Sequence, residues 1–128
     1  MLIVYDSLTG NVERFVKKIP SRSVKITNGL RVNEPFILVT YTIGFGGVPE
    51  STASFVEENY SYLQAVVSSG NKVWGSNFAR AGDTISDQYL VPLLLKFELS
   101  GTNKDLEIFT REVAILDERT NSKMVEAK

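Results

Sequence analysis

Residues 36–50 read FILVTYTIGFGGVPE. The run from Phe36 to Tyr41 is continuous and almost wholly apolar. A strand with one wet face alternates in polarity, whereas a strand covered on both faces does not. This run therefore belongs at the centre of a sheet with helices on either side. The next residues carry Gly44, Gly46 and Gly47 around Phe45. Pro49 then suits a first helical position, and Glu50 beside it meets the helix dipole. The stretch reads as one strand–loop–helix unit.

The rest of the chain repeats that unit. Leu2 to Tyr5 is a short apolar run closed by a turn signal, a buried strand. Val12, Phe15, Val16 and Ile19 recur at helical spacing, and Pro20 marks a stop. From Ser21 to Ile26 polarity alternates, with Arg22, Val24 and Ile26 opposite Ser23 and Lys25, which predicts a half-exposed edge strand. Thr52, Phe55, Val56, Tyr60 and Leu63 give the second helix its buried stripe, and Ala65 to Val67 form a short strand. Asp83 is placed to cap a helix containing Ile85 and Tyr89, which Pro92 ends. Leu93 to Leu99 is a last strand, at an edge because Lys96 and Glu98 share one face. Leu106, Phe109, Val113 and Leu116 stripe a final helix, and the polar residues from Asp117 are expected to fray. Alternating strands and helices predict an α/β fold with a parallel sheet covered on both faces. The expected architecture is a flavodoxin-like three-layer sandwich with five strands in the order 2-1-3-4-5. It forms a single domain over residues 1–116, followed by a polar C-terminal tail over 117–128.

Composition narrows the chemistry. Hydrophobic residues make up 43% of 128, enough for a core. No apolar run is long enough to cross a bilayer. Asp6 interrupts the first apolar run, unlike a secretory signal, so the expected location is cytoplasmic. With 14 basic and 15 acidic residues, net charge gives no reason to expect nucleic acid or a membrane as a partner. The chain has no cysteine and no histidine. That excludes disulfides, thiol nucleophiles, Ser-His-Asp catalysis and nearly all zinc chemistry. Redox work would have to be done by a bound organic cofactor.

In such a sheet, ligands sit beyond the carboxyl ends of the strands, where strand order reverses. Three loops rich in glycine and small polar residues should gather there: SLTGN after strand one, TIGFGGVP after strand three, and SSGNKVWG after strand four. In the first, Ser7, Thr9 and Asn11 offer hydrogen bonds, and the following helix offers unpaired N–H groups. No lysine or arginine lies in the loop, and Arg14 is a turn away. The loop thus reads equally as a plain capped turn or as a phosphate socket that works without a cation. It does not match GxxxxGK[ST], and GFGG is not GxGxxG. Phe45 and the single tryptophan, Trp74, are candidate covers for a planar ring. Asn71 has both a donor and an acceptor for a heteroaromatic edge. A mononucleotide with a large flat ring fits this set, and flavin mononucleotide (FMN) is the economical choice.

The segments YDSLTGNV, TYTIGFGGVPE, SGNKVWG and KFELSGTN resemble the NrdI family, in order and spacing, from Met1 to about Val113. The resemblance implies a flavodoxin-like FMN protein serving class Ib ribonucleotide reductase. Its reduced flavin reacts with dioxygen to give superoxide, which assembles the dimanganese-tyrosyl radical cofactor of the reductase small subunit. It implies an accessory flavoprotein rather than a stand-alone enzyme, with no catalytic side chain and no metal site of its own. An unidentified reductase would supply the electrons. Carried over, Ser7, Leu8, Thr9, Gly10, Asn11 and Val12 hold the phosphate. Tyr41, Thr42, Gly44, Phe45 and Gly46 flank the ring on one side, with Gly44 a candidate for a redox-linked peptide reorientation. Ser69, Gly70, Asn71, Trp74 and Gly75 line the other side. The sequence departs from the family at Ala79, where glycine is expected after Phe78. Three rivals remain: a generic flavodoxin-type electron carrier, a receiver-type module and a scaffold with an empty rim. The receiver is disfavoured because Asp6 stands alone and strand three ends in Thr40-Tyr41.

Overall fold

The computed structural model describes residues 1–126. Five parallel strands lie in the order β2-β1-β3-β4-β5. They are β1 (Leu2–Tyr5), β2 (Ser23–Lys25), β3 (Phe36–Tyr41), β4 (Leu63–Gly70) and β5 (Leu93–Glu98). Four helices alternate with them: α1 (Asn11–Lys17), α2 (Glu50–Asn59), α3 (Arg80–Tyr89) and α4 (Asn103–Glu126). The expected fold class and strand order are both observed.

Each face of the sheet has its own core. Ile3, Tyr5, Ile37, Val39 and Val67 point to one side, where Phe15 of α1 and Phe109 and Val113 of α4 cover them. Leu2, Val4, Phe36, Leu38 and Val66 point to the other, against Phe55 and Val56 of α2 and Ile85 of α3. Successive residues of β1 and β3 thus feed opposite cores, which is why neither strand alternates in sequence. Phe15 sits between Phe97 and Phe109, with ring centroids at 4.1 and 5.6 Å.

Several expected details shift. Pro49 occupies the cap position before α2, at φ −57° and ψ 140°, and Glu50 opens the helix. Tyr60 is exposed and leaves the α2 stripe, because the chain tightens into a 3-10 turn over Tyr60–Tyr62. Asn59 is buried instead, with its amide donating to the Phe55 and Leu30 carbonyls at 2.8 and 3.1 Å. Leu63 belongs to β4, which is longer than the expected Ala65–Val67. Asp83 does not cap α3; it lies in the first turn and pairs with Lys96 of β5. The cap residue is Ala79, in the left-handed region at φ 50° and ψ 30°. Residues 117–126 continue α4 as helix instead of fraying, and positions 127–128 of the expected tail lie outside the described residues. No described helix is long and apolar enough to cross a membrane.

Candidate functional site

Because the strands are parallel, the loops that leave their carboxyl ends share one rim. A cleft of about 200 Å³ opens there, between the loop after β1, the loop after β3 and the loop after β4. This is the reversal point between β1 and β3, and the three converging loops are the ones the sequence singles out.

The first loop builds one end of the cleft. Ser7, Leu8, Thr9, Asn11 and Val12 line it. The Ser7 hydroxyl oxygen accepts the Glu13 N–H at 3.3 Å, satisfying one orphan donor of α1. Asn11 Nδ2 donates to Thr9 Oγ1 at 3.3 Å. Gly10 does not line the cleft; it is the residue before α1, at φ +89°, a conformation that favours glycine. Leu8 is 74% exposed at the mouth.

The second loop closes on itself. Gly47 N–H and Gly46 N–H both donate to the Ile43 carbonyl, at 2.7 and 3.1 Å, and Ile43 N–H donates to Gly47 at 2.9 Å. Gly46 holds φ +113° against the aliphatic stem of Arg80; a Cβ there would stand 2.9 Å from Arg80 Cδ. The expected residues Tyr41 and Thr42 line the cleft, whereas Gly44, Phe45 and Gly46 do not. Phe45 sits at the loop tip, 81% exposed, with its ring edge-on to Trp74 at 5.3 Å. Thr42 is committed inward: its hydroxyl meets Ser68 Oγ and accepts the Ala81 N–H, both at 3.3 Å.

The third loop supplies the opposite wall through Ser69, Gly70, Asn71 and Trp74. Asn71 Oδ1 accepts the Val73 N–H at 3.0 Å, which leaves the amide nitrogen free to donate outward. Gly75, at φ +57°, turns the chain behind Trp74 and does not line the cleft. The wall is pinned from below: Lys72 N–H donates to the Glu98 carboxylate at 3.0 Å, and Lys96 Nζ donates to the Phe78 carbonyl at 3.2 Å.

Ala79 follows directly and also lines the cleft, keeping the left-handed backbone that glycine adopts without strain. Ala79→Gly should change stability by less than about 1 kcal/mol. Relief of roughly 1 kcal/mol of backbone strain is offset by about 0.8 kcal/mol from the lost buried methyl. Urea denaturation midpoints check this.

Four further lining residues, Ile43, Asn77, Ala79 and Leu99, are absent from the sequence-based set. Leu99 comes from a fourth loop, after β5, which leaves the sheet at the same rim. The signal for it was the FELSGTN stretch, polar and small immediately past a strand. Also unforeseen is Asp6. Its carboxylate is buried at the end of β1 and accepts the hydroxyls of Ser51 and, at 2.8 Å, Thr52. An acid beside the α2 N-terminus is favourable, and the contact ties the first loop to the helix that follows the second. Arg14 is placed differently from the expectation: its guanidinium folds back over the first loop, so the loop does have a cation beside it.

The Tyr41 phenol is held above its ordinary pKa of 10.0 by burial and then by the Asp6 charge, with the Ser51 hydrogen bond opposing. Burial also raises Tyr5, aided by Glu13, and Tyr89, aided by Glu57. The neutral phenol is therefore the form the fold prefers, and stability falls as pH rises above 10 toward the raised values. Tyrosinate absorbance should appear later in the folded chain than in denaturant, and the urea midpoint should drop over that window.

Comparison with known proteins agrees with this geometry. Residues 3–111 match the family model described as NrdI Flavodoxin like. Protein NrdI of Bacillus licheniformis is 53% identical over 123 residues, covering 95% of this chain and 94% of that protein. The SPbeta prophage-derived protein NrdI of Bacillus subtilis is 47% identical over 130 residues, covering 98% of this chain and all of that protein, 100%. Among solved structures, oxidised Flavodoxin 1 from Bacillus cereus superposes with a TM-score of 0.69 at 18% identity, over 91% of this chain and 96% of that one. A short-chain flavodoxin associated with a non-canonical PDU bacterial microcompartment gives 0.70 at 18% identity, over 92% and 96%. With a family model spanning most of its length and relatives this close, the chain belongs to the NrdI flavodoxin-like family.

Proposed function

We propose that this chain binds FMN in the rim cleft and acts in the cytoplasm as an activating partner of class Ib ribonucleotide reductase. The observation that carries the proposal is the cleft's division into two chemistries. One end presents the hydroxyl and amide groups of Ser7, Thr9 and Asn11; the other presents Tyr41 and Trp74. A phosphate suits the first and a flat aromatic ring the second. The residues fit the cofactor on a further count: Gly70 lines the wall between Ser69 and Asn71 with no side chain of its own to narrow the cleft. Bound and reduced by an external electron donor, FMN would supply one-electron reduction of dioxygen to superoxide for the dimanganese small subunit.

The protein's own groups bind, orient and expose. The amide and hydroxyls of the first loop hold the anionic end. With Asn71 Oδ1 taken by the Val73 N–H, its Nδ2 would be the group to donate to the ring edge. The Gly44–Phe45 peptide takes no part in the bonds that close its turn, and a Cβ on Gly44 would touch nothing within 4 Å. Outside those bonds, that peptide would be the one to reorient with the redox state of a bound flavin. Leu8, Phe45, Val73 and Trp74 stand exposed around the mouth, an apolar collar suited to docking the small subunit over the cleft.

The test mixes the FMN-loaded, chemically reduced protein with air and a manganese-loaded small subunit. Tyrosyl radical should form, and should not form when the protein is omitted. If no radical forms while electrons pass to a protein acceptor, the chain is a generic flavodoxin-type carrier. A colourless protein that ignores added FMN overturns the cofactor itself.

A further inference from the structure

Long side chains on a helix lean toward its N-terminus. Arg14 leans far enough to reach Asn11, three residues back. Its Nη2 donates to Asn11 Oδ1 at 2.5 Å, and its Nε donates to Ser100 Oγ at 3.0 Å. Ser100 Oγ donates in turn to Asn11 Oδ1 at 2.8 Å. These directions are forced. A guanidinium has only donors, so Ser100 accepts from Arg14 and spends its single proton on Asn11. Asn11 must then show its oxygen to both partners. Its amide nitrogen is turned the other way, to Thr9 Oγ1 at 3.3 Å. The same guanidinium backs Gly10, where a Cβ would stand 2.9 Å from Arg14 Nη1. Neither Arg14 nor Ser100 lines the cleft.

The geometry points to Arg14 and Ser100 as positioning residues for the phosphate end of the flavin site. They lock the Asn11 amide with its N–H groups toward the first loop, and they set a positive charge behind that loop. The inference rests on the flavin reading above and adds to it a dependence on the phosphate group alone. Arg14 comes from α1 and Ser100 from the loop after β5, so the clamp also ties the first loop to that loop. The contacts are largely exposed, and each link is individually modest. The effect is expected at the level of about tenfold in affinity, that of one hydrogen bond to a charged group.

FMN and riboflavin separate this role from packing, since they share the ring and differ in the phosphate. Dissociation constants are measured by calorimetry on the full chain for wild type, Arg14→Met, Ser100→Ala and Ser100→Thr. Arg14→Met and Ser100→Ala should each weaken FMN about tenfold while leaving riboflavin unchanged. Ser100→Thr, which keeps the hydroxyl, should bind FMN as wild type does. Added salt should weaken FMN binding more in wild type than in Arg14→Met. The inference is overturned if FMN affinity is unchanged in both loss variants. It is overturned equally if riboflavin affinity falls in step with FMN, because the clamp is then structural. A wild-type protein that prefers FMN no more than riboflavin removes the phosphate site. One that binds neither flavin removes the flavin reading, and this inference with it.

Discussion

A Thr9→Ala, Asn11→Ala double variant is expected to bind FMN at least roughly a hundredfold more weakly than wild type, with its thermal unfolding little changed. Hydrogen bonds to a charged group contribute about 1.5–3 kcal/mol each. Losing two therefore removes about 3 kcal/mol or more, and each 1.4 kcal/mol is about tenfold in affinity. Thr9 is exposed and Asn11 half-exposed, so neither truncation opens a cavity in the core. Asn11 also anchors Arg14 and Ser100, which makes it the larger of the two losses. Equilibrium dialysis against FMN checks the affinity, and circular dichroism melting checks the fold. Wild-type affinity in the double variant would return SLTGN to being a plain turn.

Gly70→Ala is expected to cost about 3 kcal/mol of stability, at the upper end for forcing one extra carbon into a packed interior. The added Cβ would lie 2.5 Å from the backbone nitrogen of Ala79 and 2.9 Å from its Cα. Neither is the free end of a side chain, so one strand of backbone must move. The segment that would move is the one after Trp74, which forms the third wall of the cleft. Guanidinium denaturation should show a lower midpoint at an unchanged slope, and FMN binding should weaken alongside it. A Gly70→Ala protein as stable as wild type would mean that the end of β4 can slide away from Ala79 without penalty.

The sheet order was legible because each piece of it leaves a local mark. The unbroken FILVTY run records two covered faces, and Arg22-Ser23-Val24-Lys25 records an edge. The three loops were legible because glycine and small polar residues stand right after strands, and parallel pairing brings those strand ends together. The cooperation of residues distant in the chain was not legible. Asp6 reads as an interruption in an apolar run until Ser51 and Thr52 come to it from 45 and 46 residues away. Arg14 reads as a surface residue until Ser100 arrives from 86 residues away. Tyr60 keeps helical spacing with Phe55 and Val56, yet the chain leaves the helix there to start β4. Such contacts follow from closure of the fold and have no local periodicity to announce them.

The single tryptophan stands in the third wall, 44% exposed, edge-on to Phe45 across the mouth. All indole emission from this protein therefore has one source, and that source borders the cleft. A chromophore entering beside it would quench the emission by energy transfer, without any label being attached. Opening of the Phe45 tip would change the colour of the emission separately, by altering how much water the indole sees. The fold thus carries a built-in optical gauge, able to distinguish a cleft that has filled from one that has merely loosened.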